Sequence, residues 1–308
     1  MSGFSVVICA HDSRRWDDLK TSVRAVQGQT LAAEQIIVVV DGNPDLLRRA
    51  VAELDGVEVI ANGRHPGLGG ARNSGVEAAT ASIVAFVDDD AVVEERWLEL
   101  LAAPYTDLDV AGVGGAILPR WQNGRPSWFP EEFDWVVGCT YRGMPDRVDE
   151  VRNLIGCNMS YRRDLLELLG GFRLGYGCDE TELCIRLRQR WPEKKLVYVP
   201  AAVALHRVPA TRTTFSRFVS RCYFEGGSKA VVAQLVGHDR GLASERAYAS
   251  RTLPRGVVRG IADTMRRRDR SGLPRAGAIV AGFVATAAGY VGGRLTFERS
   301  ARRRGWEG

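Results

Sequence analysis

Cysteine pairs at metal or redox spacing are missing from this 308-residue chain. Its six cysteines (Cys9, Cys139, Cys157, Cys178, Cys184 and Cys222) are scattered with no CxxC, which argues against a disulfide framework or a zinc module. A basic N-terminal region followed by a long apolar stretch is also missing. Met1 runs directly into a strand-like segment, so the expectation is a cytoplasmic catalytic part with reduced thiols. The glycine-rich loop Gly67-Leu68-Gly69-Gly70 has neither the GxGxxG of dinucleotide folds nor the Lys-Ser/Thr of phosphate loops. Hydride transfer and NTP hydrolysis lose support accordingly. Aromatic and basic residues are not interleaved as a nucleic-acid groove requires, and no nucleic-acid partner is expected.

What is present is enough apolar sequence for a substantial core. With 45% hydrophobic and 26% charged residues, a disordered or fibrous chain is excluded, and one large α/β domain with a C-terminal appendage fits. The most informative stretch is Ile83-Val84-Ala85-Phe86-Val87-Asp88-Asp89-Asp90. A continuous apolar run reads as a buried strand, and this one delivers three carboxylates at its C-terminal end, where open α/β sheets bind ligands. Three like charges packed together call for a cation, and oxygen ligands suit Mg²⁺ or Mn²⁺. The plainer alternative is a solvated acidic turn or a helix N-cap.

Two further strands lead to the same edge. Phe4-Ser5-Val6-Val7-Ile8-Cys9 ends in the turn His11-Asp12-Ser13-Arg14, and Gln35 to Val40 ends in Asp41-Gly42. A short strand, Val57-Glu58-Val59-Ile60, precedes the GLGG loop, and a helix is expected to start near Ala71, with Arg72 and Asn73 in its first turn. Strand alternating with helix predicts a parallel sheet with right-handed crossovers. Carboxylates at such an edge can accept from base and ribose hydroxyls while a metal takes a pyrophosphate.

The ordered series SVVICAHDSR, IIVVVDGN, GLGGARNSGVEAA, VAFVDDD and GCDETELCIRLR resembles the family 2 glycosyltransferases, nucleotide-sugar-dependent enzymes of the GT-A fold. The resemblance covers roughly residues 4–225. It implies an α/β chain with a mixed, mainly parallel central sheet flanked by helices. It also implies that Ala10, His11, Asp12, Arg14 and Asp41 contact the nucleotide, with Gly69, Arg72 and Asn73 near the diphosphate or sugar. The family's DxD falls on Asp88 and Asp90: Asp88 toward the ribose and metal, Asp90 on the metal, Asp89 toward the donor sugar. His206 resembles the late histidine that completes the metal shell, and Asn158 of Gly156-Cys157-Asn158 resembles the loop beneath the donor sugar. Neighbouring Arg207, Arg212 and Lys229 are candidates for holding phosphate.

Transfer also needs a base for the acceptor hydroxyl. By register this is Glu180, but the family's Glu-Asp order is inverted here, so Asp179 remains a candidate. Glu182 and Arg186 are expected on the exposed helix face. A single carboxylate with no paired nucleophile implies direct displacement with inversion. The other classes considered are transfer to a soluble small-molecule acceptor, nucleotidyl transfer, and a catalytically dead nucleotide-sugar-binding protein.

Trp121, Trp128, Phe129, Phe133, Trp135 and Tyr141 cluster before the Gly156 loop and suit a carbohydrate or lipid-linked acceptor, with core packing expected to account for at least half of them. That segment loosely resembles the enzymes extending lipid-carried glycans. In the tail, residues 251–308 hold 13 arginines against 4 acids, while the remainder carries a small net negative charge. Residues 276–293 contain no charge and are mostly Ala and Gly, bounded by Arg275 and Arg294. The expectation is a helix on or dipping into the inner face of the cell membrane, the alternatives being a span, or a buried helix packed through its small residues on the catalytic domain or in a homodimer. The expected division is a catalytic domain over 1–230, split near residue 100 into nucleotide and acceptor halves, and a helical Arg-rich extension over 231–308.

Overall fold

The computed structural model describes residues 3–173, 178–236 and 247–303. Gly177 of the acid-bearing turn and Arg304 lie outside the described residues. The chain divides into two compact units. The first comprises Met1–Leu118, Pro145–Gly175 and Asp179–Arg207; the second comprises Pro119–Met144, Tyr176–Cys178 and Val208–Gly308. The division expected near residue 230 falls inside one continuous helix, Phe215–Val236. The physical reason is packing: this helix and the tail helices bury their small residues against one another, so they belong together.

The first unit is built on a nine-stranded sheet ordered β3-β2-β1-β4-β8-β6-β9-β5, with β7 on β9. The strands are β1 Phe4–Ala10, β2 Gln35–Val40, β3 Glu58–Ala61, β4 Ile83–Asp88, β5 Ala91–Val93, β6 Val110–Trp121, β7 Asp149–Glu150, β8 Asn158–Arg162 and β9 Lys195–Val208. β1, β2 and β4 are apolar apart from Ser5, Gln35 and Asp88 because helices cover both faces, and nearly every residue in them is buried. The β3-β2-β1-β4 part is parallel. β8 runs antiparallel to both β4 and β6, and β9 antiparallel to β5 and β7, so the sheet is mixed.

Helices follow the strands for local reasons. In α1 (Trp16–Gln27), Trp16, Leu19, Val23 and Val26 form the buried stripe. α2 (Pro44–Glu53) starts with Pro44 just inside and Asn43 as its cap, the Asn43 carboxamide accepting from Leu46 N at 3.0 Å. α3 (Leu68–Ala78) begins three residues earlier than expected, so Gly69 and Gly70 form its first turn and Arg72 and Asn73 its second. A Cβ on Gly70 would run into the His65 carbonyl, and one on Gly75 into the Val7 side chain of β1. These glycines serve close approach of helix to sheet. α4 (Trp97–Ala102), α5 (Arg163–Leu168) and α6 (Asp179–Arg190) complete the unit.

The second unit contains a short helical turn at Glu131–Val137, α7 (Phe215–Val236), α8 (Leu253–Arg267) and α9 (Gly272–Arg303). Phe129, Phe133 and Phe218 are fully buried and stack pairwise, with Trp128 against the first and last. Gly226 and Gly289 let α7 and α9 touch backbone to backbone: a Cβ on either would meet the carbonyl of Thr286 or Tyr223. Phe129 and Phe133 are therefore core, in line with core packing accounting for part of the ring cluster. Trp121, Trp128, Trp135 and Tyr141 keep part of their surface.

Candidate active site

Strand register assembles the site. Cys9 pairs with Asp88 on one side and Val39 on the other, and Ala10 with Val40, which brings the ends of β1, β2 and β4 level. Asp89 and Asp90 follow in a tight turn into β5. β5 then pairs with β9 so that Ala91 lies opposite His206, and Arg207 N donates to the Asp90 carbonyl at 2.9 Å. A residue more than a hundred positions away is thereby placed beside the acidic turn. Asp88, Asp90 and His206 each offer one ligand atom, all within 4.8 Å of one another, and His206 Nε2 lies 3.2 Å from Asp90 Oδ1.

Arg15, which the sequence reading missed, closes the cluster. Its Nη1 lies 2.9 Å from Asp89 Oδ1 and 3.0 Å from Asp90 Oδ2. Burial pushes the Asp89 carboxyl up to about 7, Arg15 opposes the shift, and the charges of Asp90 and Asp88 reinforce it. Asp89 Oδ2 is buried with no hydrogen-bond partner among the described residues. Two carboxylates and an imidazole facing one another, beside an orphaned carboxylate oxygen, form a donor set that fits a divalent cation such as Mn²⁺ or Mg²⁺.

Arg72 links this cluster to the expected base. It projects from α3 into the interior and is only 3% exposed. Its Nη2 lies 3.7 Å from Asp88 Oδ1 and its Nη1 4.0 Å from Glu180 Oε2. Nη2 also donates to the Gly156 carbonyl at 3.0 Å, and the guanidinium lies over the Phe172 ring. Burial pulls the Arg72 pKa down, but the carboxylates of Asp88 and Glu180 outweigh it and the net shift is upward. A Cβ on Gly156 would press on Arg72 Nη2, so that glycine makes room for the guanidinium. Glu180 and Asp179 occupy the first turn of α6, and Glu180 keeps 29% of its side chain exposed.

Other residues proposed from sequence are placed differently. Asn158 is fully buried: its Nδ2 donates to the Ala116 and Ala202 carbonyls at 2.8 Å and its Oδ1 accepts from Trp97 Nε1 at 2.7 Å. It stitches sheet and helix together and does not present its amide to a donor sugar. Asn73 is similarly engaged, accepting from Phe172 N and donating to Phe172 O, both at 2.8 Å. Gly69 is buried within α3. Glu182 is also a correction: it is fully buried, 2.9 Å from Arg186 and 3.2 Å from Arg173. Expected on the exposed face, this pair instead anchors the chain around Gly171, whose carbonyl Arg186 also binds. Arg207 pairs with Asp18 at 2.7 Å, while Arg212 and Lys229 belong to the second unit.

At the strand ends, Ala10 is buried and His11 exposed. Asp12 caps the turn after β1, accepting from Arg14 N at 3.0 Å and pairing with the Arg14 guanidinium at 2.8 Å. Those hydrogen bonds hold its carboxyl well below the usual range. Asp41 accepts from Asn62 Nδ2 and from Gly67 N, both at 2.7 Å, so it shapes the loop that opens α3. Each carboxylate retains lone pairs for a ligand.

A parallel half-sheet carrying an acidic turn at its edge, continued by antiparallel strands that return a histidine to it, is the GT-A fold. Solved structures agree. A mannosyltransferase from Pyrobaculum calidifontis, in complex with GDP-Man and Mn²⁺, superposes with a TM-score of 0.58 at 15% identity over 92% of this chain and 87% of that one. GalNAc-T7 with UDP, GalNAc and Mn²⁺ gives 0.53 at 18% identity over 75% and 51%. The sequence profile described as Glycosyl transferase family 2 matches residues 5–170. The glucosyl-dolichyl phosphate glucuronosyltransferase of Haloferax volcanii is 32% identical over 95% of this chain and 96% of its own length. The chain belongs to glycosyltransferase family 2.

Proposed function

We propose that this glycosyltransferase moves a sugar from a nucleoside diphosphate sugar, most simply a UDP-sugar, onto a hydroxyl of a lipid-linked glycan at the inner face of the membrane. The observation that carries the reading is the single charged line running from His206 and Asp90 through Asp88 and Arg72 to Glu180. A cation-holding end and a carboxylate end are the two things that glycosyl transfer from a diphosphate needs.

Asp88, Asp90 and His206 would hold Mn²⁺ or Mg²⁺, which when bound supplies charge stabilisation to a departing diphosphate. Asp12, Asp41 and the exposed His11 are placed at the strand ends to meet base and ribose. Glu180 takes the proton of the acceptor hydroxyl as its oxygen bonds to the anomeric carbon and the bond to the diphosphate oxygen breaks. That proton ends on the carboxylate and the electron pair on the diphosphate. One carboxylate acting alone on the acceptor supports one displacement with inversion. Arg72, bound to the Gly156 carbonyl, keeps Glu180 and Asp88 at a fixed separation. The lipid-borne acceptor is supported by the archaeal relative's name, which specifies a glycosylated dolichyl phosphate, and by the arginine surplus of the tail.

The test is incubation with UDP-glucuronic acid, UDP-glucose or GDP-mannose, Mn²⁺, and a short-chain polyprenyl phosphate glucose. Acceptor-dependent release of the nucleoside diphosphate is expected. Consumption of NTP and a sugar phosphate with release of pyrophosphate would instead make the chain a nucleotidyltransferase.

A further inference from the structure

We infer that α9, flanked by α8, is an in-plane docking surface for an anionic bilayer, with α9 lying along the interface and not crossing it. The inference deepens the membrane-surface reading above and rests on it, but is independent of the donor chemistry.

The exposed side of α9 is the reverse of an ordinary surface helix. Leu273, Val280, Phe283, Val284 and Val291 are 47–59% exposed, and 273, 280, 284 and 291 repeat at seven and four residues, a single stripe. Every other exposed position between them is proline, glycine or alanine. From residue 276 to 293 the helix carries no charge, between the partly exposed Arg275 and the exposed Arg294. About five turns of uninterrupted apolar surface mark an interaction face. α8 adds a second stripe, with Val258, Ile261 and Met265 at 65%, 39% and 78% exposure.

Charge selects the partner. Arg255, Arg266, Arg268 and Arg270 are exposed on α8 and the turn after it. The acids nearby are Asp263 and Asp269, and Arg275 lies 3.0 Å and 2.8 Å from them. An apolar stripe bordered by arginines matches acyl chains beneath anionic headgroups, each such arginine contributing about 1 kcal/mol near the surface.

Packing selects the orientation. By length and composition Gly272–Leu295 could cross a membrane, so length decides nothing. The middle of α9 does: Gly282 presses against Phe133 and Phe218, which ties it to the turn Glu131–Val137. That turn carries Glu132, 3.3 Å from Arg259, and Asp134, 2.6 Å from Arg125. A crossing helix would carry these ion pairs into the bilayer centre, where charges are expensive. Lying flat leaves them on the wet side.

The test is flotation of the full chain with phosphatidylcholine vesicles, with and without phosphatidylglycerol. The wild type is expected to float with the anionic vesicles and to be stripped by alkaline carbonate. Val284→Asp, and separately the pair Arg266→Glu and Arg268→Glu, should lower the bound fraction at least tenfold while the melting temperature and its rise with Mn²⁺ and UDP stay unchanged. Three results overturn the inference. One is wild-type flotation by both variants. Another is resistance to carbonate, which means a span. The third is a dimeric wild type that becomes monomeric with Val284→Asp, which means a second copy covers the stripe. Flotation that persists when no nucleotide sugar is used leaves this inference standing and removes only the donor reading.

Discussion

At the scale of single residues, the site separates side chains that can meet a ligand from those already engaged by the protein. Asp90→Ala removes the carboxylate that faces both His206 and Arg15; if it holds the proposed cation, turnover in Mn²⁺ falls to background. Glu180→Gln keeps the shape but not the basicity, so transfer should drop about 10²–10⁴-fold, with UDP affinity within a few-fold by calorimetry. Asn158→Ala makes a different prediction. Three buried partners lose their hydrogen bonds at about 1 kcal/mol or more each, so urea unfolding should shift by about 3 kcal/mol while donor affinity in the folded fraction is unchanged. The acids were legible from sequence because they end an apolar run, a purely local signal. Asn158 and Asn73 were misread because their partners lie 42 to 99 residues away, and a polar residue in a loop motif looks the same whether it faces a ligand or a backbone carbonyl. Arg15 was missed for the same reason, its two acids lying in a turn 74 or more residues along the chain.

At the scale of elements, the four parallel strands β1–β4 were read to within a residue or two because a parallel sheet covered on both faces leaves continuous apolar runs, whereas the antiparallel strands β5–β9 were not read. Nor was the start of α3. Leu68-Gly69-Gly70 reads as a loop from glycine content, yet Gly70 is there because the helix approaches the His65 carbonyl too closely for a Cβ. Gly70→Ala should therefore overpack and cost about 1–3 kcal/mol, visible as a lower urea midpoint with an unchanged slope. Gly289→Ala, against the Tyr223 backbone, should do the same to the α7–α9 pair. The Glu182–Arg186 spacing was legible as a helical pair, but its burial was not, since i and i+4 are neighbours on any face of a helix.

At the scale of the whole molecule, five of six cysteines are buried and none of the six is disulfide-bonded. Burial pushes Cys184 up to about 11 and Cys222 up to about 12, so both remain protonated and unreactive at neutral pH. Thiol reagent at pH 8 should consume few groups in the native protein and all six after unfolding. Mn²⁺ together with UDP at about a hundred times its dissociation constant should stabilise the fold by about 2.7 kcal/mol, read as a rise in melting temperature lost in Asp90→Ala. By itself the sequence determined the alternation of strands and helices, the three acids at a strand end, the basic tail and the family, because each is written in local pattern or motif order. Only the tertiary structure decided that Arg15 closes the acidic cluster, that Arg72 spans Asp88 and Glu180, and that α7 belongs with the tail. Each of these depends on strand register or helix packing between segments far apart in the chain, and no local pattern encodes that.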